Sequence, residues 1–330
     1  MIAFLLRRVL QSIGVMLVVA LVAFVLFNFT GDPINNMVGT EASAEDRARL
    51  RDELGLNDPV FVQFARFVGR VAGGDLGFSY QYTRPVAQLI VERLPATLEL
   101  SLMAALLALS IGVPMGVYTG LNRHSWLSRL FMTVSLVGIS LPTFFVGILL
   151  IYLFSVILGW LPAFGRGELT RFGWWSSGLL TLDGLKSILL PALTLSLFQM
   201  TLIMRLVRSE MLEVLRTDYI KFARARGLTD RAVNFGHALK NSLVPVITIS
   251  GLQIGSIIAF AVITETVFQW PGMGLLFIQA VGFGDTPVMA AYLVIASLFF
   301  VTINLIVDLL YFAVDPRLRA DKAVSGGYVK

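Results

Sequence analysis

Six long apolar stretches, separated by polar segments, dominate the sequence. A helix needs about 20 apolar residues to cross the roughly 30 Å hydrocarbon core of a bilayer, and each stretch reaches that length. The pattern therefore predicts an all-α membrane protein with six transmembrane helices. Arg7 and Arg8 precede the first stretch, which is too long for the apolar core of a signal peptide, so we expect it to be retained. The stretches cover residues 9–29, 96–121, 130–157, 188–207, 243–268 and 288–313.

Composition and charge support this class of protein. Of 330 residues, 56% are hydrophobic and 14% are charged, whereas soluble domains carry about 25% charged residues. Lysine and arginine collect in the short cytoplasmic loops of membrane proteins. A cytoplasmic N-terminus places 16 of the 26 lysines and arginines inside, and most of the others lie in one long loop that carries little topological weight. Both termini are therefore predicted to be cytoplasmic.

The two longer segments on the opposite side of the membrane differ in character. In the loop after the first span, Ser43 suits an N-cap and Gly55 a helix stop, which predicts one short helix. Apolar residues then recur at helical spacing over residues 60–71 and predict a second helix, lying against the membrane or the bundle. Residues 159–186 are rich in Gly, Trp and Ser, a composition typical of a loop.

The cytoplasmic segment 210–245 is the most informative about function. The pattern predicts a helix up to Arg226, a left-handed turn at Gly227, and a second helix capped by Thr229. A hairpin this ordered could dock onto another protein or lie on anionic lipid, and the pattern alone does not separate these interpretations. Apolar and polar residues of the second helix form two faces: Leu228, Ala232, Phe235 and Leu239 on one, Asp230, Asn234, His237 and Asn241 on the other.

Two motifs in this segment resemble a known family. They are Asp218-Tyr-Ile-Lys-Phe-Ala-Arg-Ala-Arg-Gly-Leu-Thr and His237-Ala-Leu-Lys-Asn-Ser-Leu-Val-Pro. Together they resemble the EAA loop of permeases from binding-protein-dependent ABC importers, in particular the dipeptide, oligopeptide and nickel branch. Phe222 departs from the pattern of that branch. Further segments in the same order extend the resemblance over nearly the whole chain: Gly31-Asp-Pro, Glu53-Leu-Gly-Leu, Gly74-Asp-Leu-Gly-Phe-Ser, Arg93-Leu-Pro-Ala-Thr-Leu-Glu-Leu and Thr264-Glu-Thr-Val-Phe-Gln-Trp-Pro-Gly-Met-Gly.

The resemblance implies a type I ABC importer permease fold in the bacterial inner membrane. It divides the chain into a first span (1–29), a helical periplasmic loop (30–93), a five-helix core (94–313) and a cytoplasmic tail (314–330). The implied partners are a second homologous permease in a heterodimer, two ATPase subunits, a periplasmic or lipid-anchored substrate-binding protein, and membrane lipid. The loop either braces the binding protein or caps the bundle. The implied cargo is di- or oligopeptides, with nickel, glutathione or oligosaccharides as alternatives.

In this family the EAA loop couples the permease to its ATPase. ATP-driven closure of the ATPases would move the docked hairpin and swing the bundle between inward- and outward-facing states. Gly227 is expected to allow a sharp turn where a side chain would clash. Carried over by the resemblance, the coupling residues are Ala223, Arg224, Ala225, Gly227, Leu228, Arg231 and His237.

Missing motifs argue against catalysis on this chain. No lysine follows a glycine, so a Walker-type P-loop is absent, and ATP and Mg²⁺ are expected on separate ATPase subunits. His124 and His237 have no metal-ligand partner at helical spacing, and no nucleophile–base motif occurs, so we expect neither a metal site nor an enzyme. No basic stripe with aromatics indicates nucleic-acid binding. An ion-driven secondary transporter would need paired intramembrane acids, and an assembly factor would not need the hairpin.

Polar side chains inside the spans are further candidates for function. Gln199, Gln253 and Asn304 are predicted to line the transport pathway. Glu265, near the outer end of the fifth span, belongs either to an outer gate or binding-protein contact, or to a cap for the turn that follows. Asp308 is expected to be a bundle-facing acid. The turn after Glu265 is the outer-loop motif of Trp270, Pro271, Gly272 and Gly274.

Overall fold

The computed structural model describes residues 2–29, 45, 49, 52 and 57–314. In this part of the chain, four helices are each long and apolar enough to cross a membrane. Two bent helix pairs raise the number of candidate spans to six if each pair crosses once. The six apolar stretches of the sequence coincide with these four helices and two pairs. Residues 45, 49 and 52, within the first helix predicted in the loop, are helical, and the rest of that helix lies outside the described residues. So do the motifs at residues 31–33 and 53–56 and the tail beyond residue 314.

The helices follow one another in the order that the hydropathy pattern predicts. Two of the long segments contain a π-helical stretch, one at Ile151–Ile157 and one at Ala232–Ala238. The elements are α1 (Ile2–Phe29), α2 (Val60–Ala72), α3 (Val86–Leu121), α4 (Trp126–Ser140), α5 (Thr143–Leu150) with its π-helical continuation Ile151–Ile157, β1 (Thr170–Phe172), β2 (Trp175–Ser177), α6 (Leu182–Val214), α7 (Asp218–Ala225), the π-helical segment Ala232–Ala238, α8 (Leu239–Val267), α9 (Met273–Phe283) and α10 (Thr286–Val314).

The third predicted span is not one continuous helix. Residues 130–157 were expected to cross as a single helix, but α4 and the α5 segment meet at an angle of 111°. Pro142 stands immediately before α5 with φ −59° and ψ 137°. Proline lacks an N–H and disfavours the helical conformation of the residue before it, so the first helix ends there. The third span is therefore divided at Pro142 into two helices.

A short β-hairpin lies within the segment that was expected to be only a loop. Strands β1 and β2 pair antiparallel, with Thr170 opposite Ser177 and Phe172 opposite Trp175. Gly173 at the turn has a φ of +60°, a conformation that favours glycine. The fold is therefore all-α except for this one hairpin among the described residues.

Three glycines bring α3 and α6 into close contact. Gly112, Gly116 and Gly120 recur every four residues and therefore lie on one face of α3. A Cβ on Gly116 would lie 2.5 Å from the Cβ of Val207, and one on Gly112 would lie 2.9 Å from the Met200 carbonyl oxygen. Small residues at this spacing let helix backbones approach closely within a membrane, where packing replaces the hydrophobic effect. This pair forms the centre of the bundle.

The first helix contacts a different helix near each of its ends. Near its N-terminal end, Arg8 forms an ion pair with Asp308 of α10 at 3.0 Å, so the predicted bundle-facing acid has a basic partner. Towards the other end, the ring of Phe24 packs against Phe64 and Phe67 of α2. The second periplasmic helix thus exists as predicted, and it packs against the bundle.

Candidate functional site

The hairpin between α6 and α8 has the helix–glycine–helix form that the sequence predicts. The first limb, α7, ends at its C-cap Arg226, and Gly227 follows with a φ of +80°. Thr229 then accepts a hydrogen bond on its Oγ1 from the backbone N–H of Ala232 at 3.3 Å, which caps the second limb. We call residues 218–238 the coupling hairpin.

The reason for glycine at position 227 differs from the expected one. A Cβ built on Gly227 would have no atom within 4 Å, so a side chain would clash with nothing. The positive φ alone favours glycine, because an L-residue in this conformation costs roughly 1–2 kcal/mol. The expectation of a steric clash was therefore wrong, and the requirement is conformational.

One face of the coupling hairpin is buried against its own bundle. Ile220 and Ala223 of α7, and Val233 and Ala238 of the second limb, are buried in one apolar cluster. The same cluster includes Val207, Met211 and Val246 of the long helices α6 and α8. Leu228 and Phe235, two members of the predicted apolar face of the second limb, are exposed. The residues that pack on the bundle are Val233 and Ala238, within the π-helical segment, whose side-chain spacing differs from that of an α-helix.

The opposite face presents aromatic and basic side chains together. Phe222 is 63% exposed, and Tyr219, Leu228 and Phe235 are also exposed. The Arg226 guanidinium lies 5.9 Å from the centre of the Phe222 ring. Among the predicted coupling residues, Ala223 is only 7% exposed and holds the hairpin to the bundle. The other six are exposed on the hairpin: Arg224, Ala225, Gly227, Leu228, Arg231 and His237.

One polar contact ties α7 to α8, and a second lies within α7. Asn241 donates from Nδ2 to the Tyr219 hydroxyl at 2.8 Å, which ties α8 to α7. Lys221 donates to the Asp218 carboxylate at 2.8 Å, and this hydrogen bond together with the positive charge lowers the pKa of the Asp218 carboxyl. The contact of Asn241 therefore fixes α7 against α8, whereas the exposed Lys221–Asp218 pair joins neighbouring turns of α7 alone.

Glu265 is the centre of a polar cluster at the outer end of α8. Its side chain is 0% exposed and accepts hydrogen bonds from Thr97 Oγ1 at 2.6 Å and from the backbone N–H groups of Gly274 and Leu275 at 2.7 and 3.0 Å. Those N–H groups belong to the first turn of α9, where backbone N–H groups have no acceptor within the helix itself. The structure places Glu265 as the cap of α9, and a gating role stays a prediction.

The outer-loop motif packs directly onto this carboxylate. A Cβ on Gly272 would lie 2.3 Å from Glu265 Oε1, and one on Gly274 would lie 2.6 Å from the Cα of Val262. Trp270 is buried and donates from Nε1 to the Ala96 carbonyl at 2.9 Å. Pro271, between Trp270 and Gly272 in the sequence, is half-buried. The glycines are therefore required by close approach.

Sequence reasoning missed a buried ion pair beside this cluster. Arg166, in the loop before β1, contacts Glu99 of α3 at 2.5 Å, and their side chains are 4% and 5% exposed. Glu99 also accepts from Trp175 Nε1 at 3.1 Å, and Arg166 donates to the Ser176 carbonyl at 2.6 Å. The sequence feature that could have indicated the pair is Glu99, an acid inside the segment Arg93-Leu-Pro-Ala-Thr-Leu-Glu-Leu. Its partner Arg166 is 67 residues away, so no local pattern identifies it.

The candidate pathway residues occupy the middle of the bundle. Gln199 of α6 donates from Nε2 to Ser256 Oγ at 2.9 Å and to the Gln253 carbonyl at 3.4 Å, so the two predicted glutamines meet. Asn304 of α10 faces Gly255 of α8, because a Cβ added to Gly255 would lie 3.7 Å from the Asn304 Oδ1. All three predicted residues thus lie near α8, and their place on the transport pathway stays a prediction.

Bundle, hairpin and outer cap together define a membrane transport permease, and comparison with known proteins gives the family. The sequence matches the family described as binding-protein-dependent transport system inner membrane component over residues 112–320, and the N-terminal region of such components over residues 1–101. The chain belongs to this family. It is therefore a multi-pass inner-membrane permease subunit, and ATP hydrolysis belongs to a separate chain.

Curated relatives match along almost the whole length. The chain is 38% identical to the dipeptide transport system permease protein DppB of Alkalihalophilus pseudofirmus and 40% identical to the oligopeptide transport system permease protein AppB of Bacillus subtilis, with 97% of this chain and 100% of each relative covered. It is 37% identical to the glutathione transport system permease protein GsiC of Salmonella paratyphi A, with 97% and 99% covered.

A solved structure supports the fold. The inward-facing MetNI methionine ABC transporter contains a chain that superposes with a TM-score of 0.56 at 20% identity, covering 69% of this chain and 96% of that one. At this identity the likeness concerns the fold alone. It confirms the type I importer permease architecture predicted from the sequence.

Proposed function

We propose that this chain forms half of the translocation pathway of an ATP-driven importer for di- or oligopeptides. The names of its relatives support this cargo, since they describe permeases for dipeptides, oligopeptides and glutathione. Both termini lie in the cytoplasm, as the distribution of lysine and arginine favours. A second, homologous permease supplies the other half of the pathway, and a periplasmic or lipid-anchored binding protein delivers the peptide.

The coupling hairpin is the element that receives force from the ATPase. The observation that carries this proposal is its two-sided structure: one face is buried in the bundle core, and the other exposes aromatic and basic side chains. Exposed aromatic residues with arginine are typical anchors of protein–protein interfaces. Because the buried face joins the long helices α6 and α8, movement of a docked partner is passed to the spans as a rigid-body displacement.

The nucleotide is handled by the partners. ATP and Mg²⁺ bind to two ATPase subunits, and this chain binds no cofactor of its own. Lipid surrounds the assembly through the exposed apolar surfaces of the outer helices, such as those of α1 and α4.

Co-purification tests the docking surface. Phe222→Ala removes an exposed ring and is expected to lower recovery of the ATPase with a tagged permease at least about tenfold, the effect of one interface anchor. Lys221→Ala is the matched control, because it removes the neighbouring exposed side chain and should leave recovery unchanged. Equal recovery with Phe222→Ala and the parent protein would refute docking through this face.

Cargo and topology are tested separately. In the reconstituted transporter, ATP-dependent uptake of trialanine and of glutathione is measured side by side, and uptake of neither would exclude a peptide importer. The chain contains no cysteine, so Ala225→Cys provides a single exposed thiol. A membrane-impermeant maleimide should label it only after the cytoplasmic side is opened. Labelling from outside intact cells would reverse the proposed orientation.

A further inference from the structure

The segment between the third and fourth spans lies at the end of the bundle opposite the coupling hairpin. It covers residues 158–181 and leads directly into α6, whereas the coupling hairpin follows the other end of that helix. Because α6 has 33 residues and an α-helix rises about 1.5 Å per residue, its two ends are roughly 50 Å apart. This distance exceeds the roughly 30 Å of hydrocarbon, so the two elements lie on opposite sides of the membrane. We call residues 158–181 the outer segment.

Three contacts fix the height of the outer segment along the bundle. Trp160 donates from its backbone N–H to the Phe154 carbonyl at 2.9 Å, and their ring centres are 6.1 Å apart, near the end of the third apolar stretch. Gly165 donates to the carbonyl of Phe268, the last residue of the fifth stretch, at 3.0 Å. The buried ion pair described above joins the segment to the start of the second stretch. The outer segment therefore lies where three apolar stretches end, which is the level at which hydrocarbon gives way to lipid headgroups.

Large apolar side chains of the outer segment remain exposed at this level. Trp160 is 65% exposed, Trp174 is 63% exposed and Phe164 is 60% exposed. Water disfavours such side chains, so a concentration of them in one segment marks a surface that contacts a membrane or another protein. Three more apolar side chains of the segment are exposed as well: Leu169, Phe172 and Leu180.

Two observations favour lipid as the partner. The exposed surface continues that of the third span, because Tyr152, Val156 and Ile157 are exposed directly before the segment, within a stretch that crosses the hydrocarbon. The type of ring also suits this level, since tryptophan is enriched where headgroups meet hydrocarbon and its indole is apolar with one polar N–H. Three of the five tryptophans of the chain fall within the 24 residues of the outer segment.

The β-hairpin of the outer segment presents one of these rings at its tip. Trp174 follows Gly173 in the turn that joins β1 to β2, and Phe172 pairs with Trp175 to close that turn. The hairpin is held from behind, because the buried Arg166 donates to the backbone of β2 at 2.6 Å. Trp174 is therefore kept at a fixed height beside the ends of the spans.

We propose that the outer segment is an interfacial anchor whose exposed aromatic rings sit among the lipid headgroups of the leaflet opposite the coupling hairpin. The rings rest on the upper part of the acyl chains, and the indole N–H groups of Trp160 and Trp174 donate to ester or phosphate oxygens, which all phospholipids offer. The anchor needs no particular cargo and no ATPase, so it goes beyond the proposed transport function and does not depend on it.

Single cysteines that carry a fluorescent reporter test the anchor. The chain has no cysteine, so Trp174→Cys and Trp160→Cys each supply one thiol for the environment-sensitive fluorophore NBD. Both side chains are mostly exposed, so their loss should leave the melting temperature unchanged. Gln81→Cys is the matched control, because Gln81 is also exposed but precedes α3, which begins at Val86, ten residues before its apolar stretch at Ala96. Ten helical residues span about 15 Å, so the control position lies in water beyond the headgroups.

Each labelled permease is reconstituted in its assembled transporter into liposomes and exposed to three quenchers in turn. These are iodide on both sides of the bilayer, a phospholipid with a nitroxide on its headgroup, and a phospholipid with a nitroxide at the end of an acyl chain. At Trp174→Cys and Trp160→Cys we expect the headgroup nitroxide to lower NBD emission severalfold and the other two quenchers to have little effect. At Gln81→Cys iodide should lower the emission severalfold, and both lipids should have little effect.

The three quenchers separate lipid from the other possible surroundings. Iodide quenching at Trp174→Cys as strong as at Gln81→Cys would place the segment in water and overturn the proposal. Emission that resists all three quenchers would show that another protein subunit covers the surface, and strongest quenching from the chain end would place the rings in the hydrocarbon; either result also overturns it. Quenching by the headgroup nitroxide at both positions supports the anchor. None of these readouts involves transport, so they hold whether or not the transporter takes up peptides.

Discussion

Replacing Arg166 by methionine should release the outer β-hairpin from the bundle. Arg166 contacts the Glu99 carboxylate and also donates to the Ser176 carbonyl and hydroxyl. Without it, Glu99 stays buried and retains only the Trp175 indole at 3.1 Å and the Gly178 N–H at 3.4 Å. Removing one partner of a buried ion pair typically costs about 3–5 kcal/mol, because a charge is left without compensation.

Cysteine labelling measures this loss directly. The chain has no cysteine, so Ser177→Cys adds a single thiol at a position of β2 that is buried. The thiol reacts with a membrane-impermeant maleimide only when the hairpin opens, and the rate follows the free energy of opening. A loss of about 3–5 kcal/mol should raise the labelling rate by a factor of about 10² to 4 × 10³ in the Arg166→Met background.

Two companion variants make the reasoning refutable. Arg171→Met removes an exposed arginine from the same hairpin and should leave the rate unchanged. Glu99→Gln combined with Arg166→Met removes both charges and should recover part of the protection, because the amide can still accept from Trp175. A labelling rate in Arg166→Met no higher than in Arg171→Met would show that the buried pair does not hold the hairpin.

Substitutions at Gly116, Glu265 and Asp308 test helix packing, helix capping and an ion pair, each measured by thermal unfolding in detergent. Gly116→Ala places a Cβ 2.5 Å from that of Val207 and should cost about 1–3 kcal/mol, whereas Gly138→Ala, with its nearest atom at 3.6 Å, should cost nothing measurable. Glu265→Ala leaves the N–H groups in the first turn of α9 without an acceptor. It should lower the melting temperature more than Glu265→Gln, which keeps an acceptor; equal losses would contradict the cap. Asp308→Asn should cost at most about 1 kcal/mol, because its arginine partner is 42% exposed to solvent.

The spans and the coupling hairpin could be predicted because their signals are local. Twenty apolar residues specify a span by length alone, and a glycine between two capped helices specifies the turn at Gly227. The same local reasoning did not show which face of the second limb packs on the bundle, where Val233 is buried and Phe235 is exposed. Periodicity assumes an α-helix, and the π-helical geometry of Ala232–Ala238 shifts the register.

The pattern of apolar and polar residues does not predict contacts between residues that are far apart in the sequence. Glu99 and Arg166 stand 67 positions apart, and Thr97 and Glu265 stand 168 apart. Nothing in the local sequence selects one partner over another. The acids were visible as isolated charges in apolar surroundings, which marked Glu265 as worth attention but left its role open between gate and cap.

The sequence by itself determined that this chain crosses a membrane several times and carries an ordered hairpin between two spans, because hydropathy, glycine and capping residues act over a few neighbours. Only the tertiary structure decided which apolar faces meet each other, since lipid and protein interior are equally apolar and hydropathy does not distinguish them. The glycine face of α3, the cap of α9 by Glu265 and the polar groups at the bend of α8 all result from contacts between distant segments.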